Sequence, residues 1–220
     1  MKKTLLSWSS GKDSAWALHV LRQDAQIHVD GLFCTVNEQL DRVAMHAVRV
    51  ALLRAQAESV ALPVHLISIP HPCSNADYAR IMGEFVSRER KRGIEYFAFG
   101  DLFLGDIRAY RESSLSGTGV KPLFPLWGMN TRALSATMLE SGLRARVTCV
   151  DPSQLAPEFC GREYDRSFLA DLPSQVDPCG ENGEFHSFAF DGPMFRRKIN
   201  IEVGETTLRD KFVFTDLLPA

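Results

Sequence analysis

The stretch Thr4-Leu5-Leu6-Ser7-Trp8-Ser9-Ser10-Gly11-Lys12-Asp13-Ser14 decides the fold. Thr4 to Trp8 is a short apolar run with strand character. Small residues then form a turn, and the pattern from Ser14 to Arg22 is helical. A strand, a small-residue turn and a helix in that order gather backbone N–H groups at a helix N-terminus, where they lack intrahelical partners and carry partial positive charge. Lys12 adds a full charge, and Ser9 and Ser14 add hydroxyls. Ser9, Ser10, Gly11, Lys12, Asp13 and Ser14 are therefore candidate ligands for two adjacent phosphates. The competing reading is a plain helix cap, with Ser10 and Asp13 as a capping box. The Walker A spacing GxxxxGK[ST] is absent.

Outward from this loop, Val29 to Val36, Val64 to Ile69 and Tyr96 to Gly100 read as strands. Arg42 to Ser59 and Asn75 to Arg92 read as helices; Val43, Ala47, Val50, Ala51 and Leu53 of the former lie near a 3.6-residue period. This alternation predicts an α/β chain, a parallel sheet with helices on both faces, Rossmann-like, with ligands at the carboxyl ends of the strands. A fifth strand is expected near Lys121 to Leu126, limited by two prolines. Thr131 to Ser141 reads as a helix ending at Gly142, and Arg144 to Val150 as a strand. From Asp151 to Asp191 there are nine acidic side chains against two basic ones. Turn formers and short strands are expected from there to the end. A change of domain is expected between Trp127 and Gly142, giving residues 1–130 and a smaller α+β domain over residues 131–220.

The 220 residues are 45% hydrophobic and 24% charged, the balance of a soluble globular chain. Lys and Arg number 25 against 27 Asp and Glu, a net charge of −2, which argues against a generally basic surface for nucleic acid or membrane. No apolar run approaches the ~20 residues of a membrane span. The start has a basic end but hardly any apolar segment of a signal peptide. Five scattered cysteines without a CxxC pair predict reduced thiols and a cytoplasmic location.

The Ser9–Ser14 loop resembles the PP-loop, SGGxDS, of ATP pyrophosphatases, with Ser10 where the common pattern has a second glycine. Further segments resemble the diphthine–ammonia ligase-like branch of that superfamily. They are Thr35-Val36-Asn37-Glu38, the run from Asp41 to Arg49, and Gly100-Asp101-Leu102-Phe103-Leu104-Gly105-Asp106-Ile107-Arg108. Phe124-Pro125-Leu126-Trp127-Gly128, Cys179-Gly180-Glu181-Asn182-Gly183-Glu184-Phe185-His186 and Asp191-Gly192-Pro193-Met194-Phe195 complete the set. The resemblance implies a HUP-like, adenine nucleotide alpha hydrolase domain over 1–130 that binds ATP with Mg²⁺. It also implies a C-terminal domain over 131–220 that completes the active site. The implied reaction cleaves ATP to AMP and pyrophosphate through an acyl-adenylate, then amidates the carboxylate with ammonia or an amine. Eukaryotic and archaeal members act on diphthine. The segment Gly180 to His186 departs from their GEGGEYE-like form, which leaves the carboxylate-bearing substrate open. Two rivals stand beside this reading: an adenylating tRNA-modifying enzyme and a non-catalytic ATP-binding sensor. A homodimer is one option for the assembly.

Individual residues follow from these segments. Thr35 and Asn37 stand where the resemblance implies adenosine contact. His46 and Arg49 share a helical face, and Arg49 suits a phosphate or substrate carboxylate. Asp101 follows the fourth strand and suits Mg²⁺. Asp106 suits the same ion or the acceptor, and Arg108 suits charge on the α-phosphate; the bland alternative for both is a structural ion pair. Asn182-Gly183 marks a tight turn. Beyond it a strand would put Glu184, His186 and Phe188 on one face, and Glu181, Glu184 and His186 together suit proton transfer from an incoming amine. The alternatives there are binding of a metal or of the substrate's ammonium group, and a solvated hairpin. Cys179 has acidic neighbours that raise a thiol pKa, which argues against a nucleophile.

Overall fold

Successive side chains of a strand point to opposite faces, and the first strand divides the core accordingly. Leu5 joins a cluster with Phe33, Phe85, Phe97, Phe99 and Leu115, whereas Leu6 joins the opposite cluster with Ala15, Leu18, Leu32 and Ala98. The computed structural model describes residues 1–37, 39, 42–43 and 48–220. Glu38, Leu40, Asp41 and residues 44–47, with the candidate His46, lie outside the described residues.

The elements in chain order are β1 (Lys2–Ser7), α1 (Lys12–Gln23), β2 (Ile27–Asn37), β3 (Arg42–Val43), α2 (Val50–Ser59), β4 (Val64–Ile69), α3 (Asn75–Lys91), β5 (Tyr96–Ala98), α4 (Gly105–Leu115) and β6 (Lys121–Leu123). They continue with α5 (Thr131–Glu140), β7 (Arg144–Val150), β8 (Glu163–Tyr164), α6 (Arg166–Asp171), β9 (Phe185–Asp191), β10 (Ile201–Arg209) and β11 (Phe212–Pro219). In the first sheet β2, β1, β5 and β6 lie side by side in parallel, β4 adds in parallel to β2, and β3 alone pairs antiparallel. Leu6 sits opposite Leu32 and Ala98 in this register. Helices α1 and α2 cover one face, while α3 and α4 cover the other. This is the α/β arrangement expected from the strand–helix alternation, and it is compatible with the HUP-like fold that the resemblance implies.

The second sheet is antiparallel, ordered β10-β11-β7-β8, with β9 also pairing with β7. Its inner side chains Val147, Phe185 and Phe188 belong to the same core as α1. Helix α1 therefore lies between the two sheets, and β9 crosses close to the turn that precedes it.

Three expectations change. The helix expected from Arg42 to Ser59 begins only at Val50; Arg42 and Val43 instead pair with Asn37 and Val36, and the Val43 N–H donates to the Val48 carbonyl at 2.8 Å. Helix α4 was not anticipated, because Gly105, Ser113 and Ser114 interrupt its apolar pattern. The C-terminal region holds a long hairpin of nine- and eight-residue strands rather than short ones. Among the described residues no helix is long and apolar enough to cross a membrane.

Candidate active site

The Ser9–Ser14 turn stands at the carboxyl end of β1, and Gly11 is the N-cap of α1 with no side chain capping the helix. The capping-box reading of Ser10 and Asp13 therefore does not hold: neither side chain caps the helix. Ser10 holds a left-handed backbone, φ 70°. Its carbonyl accepts the Ala189 N–H at 3.0 Å and the Gln56 amide at 2.9 Å. Gln56 also donates to the Ala189 carbonyl at 2.6 Å and accepts the Trp8 indole N–H at 2.8 Å. One buried amide from α2 thus joins Trp8, just past β1, to the turn and to β9. Ser9 Oγ and Ser14 Oγ stand 3.2 Å apart, and the Lys12 N–H donates to Ser187 Oγ at 3.3 Å. Gly100 lets the end of β5 approach: a Cβ there would lie 3.1 Å from the Asp13 carbonyl carbon.

These groups wall a cavity of about 380 Å³ between the turn, the segment after β5 and the segment before β9. Ser9, Gly11, Lys12, Asp13 and Ser14 of the predicted loop line it, as do the predicted Asp101, Glu181 and His186. Ser10 does not: its side chain is fully buried away from the cavity, and Oγ has no partner among the described residues.

Lys12 is buried, with Nζ 2.9 Å from Asp13 Oδ2 and donating to the Cys179 carbonyl. Burial works to lower its pKa, but Asp13 and the other acidic neighbours outweigh that and leave it raised. Burial raises the pKa of Asp13 against the pull of Lys12, and that of Asp101 against the pull of Arg111. Glu181 accepts the Leu102 N–H at 2.7 Å, and burial pushes its carboxyl up to about 7. Burial brings His186 down to about 4, so its ring is neutral at pH 7. Asp13 Oδ1 and Asp101 Oδ2 are buried and have no hydrogen-bond partner among the described residues. No group of three or more side chains among them is arranged to hold a metal alone. Mg²⁺ commonly takes one or two carboxylates and fills the rest of its shell with water and substrate phosphates. Two hard carboxylate oxygens that accept no hydrogen bond among the described residues, beside this polar cavity, fit that donor set.

A second cavity, about 550 Å³, lies on the α3 and α4 face of the first sheet. Phe33, Phe97 and Phe99 form its floor, Tyr78, Met82 and Val86 one wall, and Trp8, Thr35 and Val43 another. It shares Ser7, Ser9, Phe99 and Arg111 with the polar cavity, so the two adjoin. A mostly apolar slot beside a polar anion pocket is suited to a ligand with a flat apolar end and a charged end.

Five predicted site residues lie elsewhere. Glu184 is buried and turns back into its own loop, accepting the Asp177 N–H at 2.8 Å and the Asn182 amide at 3.0 Å. Arg49 binds Asp216 through two hydrogen bonds of 3.2 and 2.6 Å, fastening α2 to β11. Asp106 is exposed on the first turn of α4. Arg108 pairs with Glu112 at 2.8 Å and stacks 4.7 Å over Trp127. Asn37 accepts the Gln39 N–H at 3.0 Å and does not line either cavity. The helical period explains the misplacement on α4. Leu104, Ile107 and Arg111 face the polar cavity, which turns Asp106 and Arg108 outward. Arg111 was missed, although its place in the spacing Leu104-Ile107-Arg111-Leu115 marks a cation inside an apolar stripe. Gln56 was missed as well, and one polar residue on a helix gives no such signal. Cys179 is buried, and its thiol pKa is raised by that burial, as its place in the sequence suggested.

A sequence profile described as the diphthamide synthase N-terminal domain matches residues 1–122, and one described as the diphthamide synthase C-terminal domain matches residues 130–217. The chain is 24% identical to the diphthine–ammonia ligase of Homo sapiens over 193 residues, covering 81% of this chain and 72% of that protein. It is 25% identical to the Rattus norvegicus enzyme of the same name, with the same coverage. To the Danio rerio enzyme it is 33% identical over 117 residues, 50% of this chain and 46% of that one.

Proposed function

The chain belongs to the diphthamide synthase family, and from that premise we propose that it is an ATP-dependent ligase that adenylates a carboxylate and then amidates it with ammonia. One observation carries the reading: an uncapped helix N-terminus faces a polar cavity that adjoins an apolar slot at the same sheet edge. The terminal phosphates of ATP lie against Ser9, Gly11, Lys12 and Ser14, and the base lies in the slot beside Thr35. Residues 1–130 act as the nucleotide unit, and residues 131–220 close the cavity through Glu181, His186 and Ser187. Asp13 and Asp101 hold Mg²⁺, which when bound neutralises phosphate charge.

In the first step a carboxylate oxygen attacks the α-phosphorus, the bond to the β-phosphate oxygen breaks, and pyrophosphate leaves. In the second, ammonia attacks the acyl carbon, AMP leaves, and the amine proton passes to a base. Glu181, with its carboxyl held near 7, supports that role at neutral pH. Neutral His186 orients the reactants as a hydrogen-bonding neighbour. The chain's own contribution is alignment and charge stabilisation.

The test supplies MgATP, ammonium and a carboxylate, with diphthine-bearing protein tried first because the named relatives are diphthine–ammonia ligases. Pyrophosphate and AMP should accumulate in step with amide. Orthophosphate as the sole product would refute the proposal. Lys12→Ala, checked for folding by its melting curve, should lower the rate roughly 100-fold or more, the cost of removing one preorganised charge partner.

A further inference from the structure

Four residues form the seam where the two cavities adjoin, and Arg111 is the one among them that carries a charge. Its guanidinium carbon lies 4.8 Å from the centre of the Phe99 ring. Nε is buried and has no hydrogen-bond partner among the described residues. It forms an ion pair with Asp101 Oδ2 at 3.6 Å, too long for a hydrogen bond, and that oxygen accepts no hydrogen bond among the described residues.

Resting on the nucleotide reading above, we propose that Arg111 is a catalytic residue that grips the α-phosphate and balances the charge that builds on it when the phosphorus is attacked. A nucleotide with its base in the slot and its last phosphates at the loop must pass its α-phosphate through the seam. Lys12, the other cation on the polar cavity wall, is already bonded to Asp13 and the Cys179 carbonyl. Arg108 is committed to Glu112 outside. A guanidinium presents paired donors that match phosphate oxygens. The Phe99 ring fixes its plane from one side. A desolvated donor left unbonded carries a standing cost, which a ligand oxygen would remove.

The test compares binding of AMP, adenosine and inorganic pyrophosphate, each with MgCl₂, to the wild-type chain, Arg111→Gln and Arg111→Lys. The wild type should bind AMP more tightly than adenosine. Arg111→Gln should weaken AMP roughly 10- to 100-fold, as expected for lost charge-assisted hydrogen bonds, with adenosine and pyrophosphate within about twofold of wild type. Arg111→Lys keeps a charge opposite Asp101 and should show a smaller loss, again confined to AMP. It decides the matter if the glutamine variant fails to fold. AMP binding unchanged in the variants, or all three ligands weakened alike, overturns the assignment to Arg111. A wild-type chain that binds neither AMP nor adenosine would overturn the nucleotide reading itself, a result distinct from the other two.

Discussion

Ser10 occupies a backbone conformation that costs an L-residue about 1–2 kcal/mol, and its buried hydroxyl has no partner among the described residues. Glycine adopts that conformation freely, at an entropic cost of about 0.5–1 kcal/mol in the unfolded chain. Ser10→Gly should therefore stabilise the protein by about 1 kcal/mol, read as a higher urea midpoint with an unchanged slope. An unchanged or lower midpoint would mean that the serine is not strained. Glu181 gives a second single-residue prediction. Its carboxyl is held near 7, above the ordinary 4.5, so the base form appears as pH rises through about 7. Amide formation should rise with pH over that range in the wild type and lose that limb in Glu181→Gln. Because the folded pKa is the higher one, burying the charge costs stability progressively between about pH 4.5 and 7. The glutamine variant should thus gain stability relative to wild type at pH 8 and not at pH 4. Identical rate profiles for the two proteins would remove Glu181 from the proton transfer.

At the scale of elements, what was legible is what has a period. Val64–Ile69 and Arg144–Val150 were read to the residue, since apolar residues recur through them: Val64, Leu66, Ile67 and Ile69 in one, Ala145, Val147, Cys149 and Val150 in the other. The Ser9–Ser14 turn was legible because its small residues sit between a strand and a helix. Helix α4 was hidden by its glycine and serines, and with it went the direction of every side chain it carries. That is why Asp106 and Arg108 were chosen over Arg111, three positions along. Arg49 and Glu184 failed differently: their residue types suit a site, but tertiary structure gives Arg49 the distant partner Asp216, and Glu184 turns back onto Asp177 and Asn182 of its own loop. The contact between the end of β5 and the start of α1 yields a prediction of its own. A methyl group at Gly100 would press on the backbone of Asp13 and Ser14 at 3.1–3.2 Å. Gly100→Ala should cost about 1–3 kcal/mol of stability, the range for overpacking, and should weaken pyrophosphate binding by spreading the turn. A variant with wild-type melting temperature and affinity would show that the contact yields without consequence.

The whole molecule is two sheets with α1 between them, fastened at one end by Asp216 of β11, which receives both Arg42 and Arg49. Burial alone would raise the Asp216 pKa, but hydrogen bonds from the two arginines hold it at about 2. A carboxylate lowered in the folded state contributes stability that is full above its unfolded value and fades as pH falls toward 2. With solvent screening of a partly exposed cluster, that is on the order of 1 kcal/mol. Asp216→Asn should be less stable by that amount at pH 7, and the gap should narrow at pH 3; a gap independent of pH would assign the loss to packing. The other fastening, at the Ser9–Ser14 turn, bears on the order in which the molecule is made. Lys12 and Ser187 are separated by 175 residues, and Gln56 and Ala189 by 133. The turn is among the first segments to leave the ribosome, yet the carbonyl of Ser10 meets its β9 partner only after residue 189 has been synthesised and β9 has paired with β7. A nascent chain would therefore carry the sequence of this turn for most of translation before the turn acquired its β9 partner.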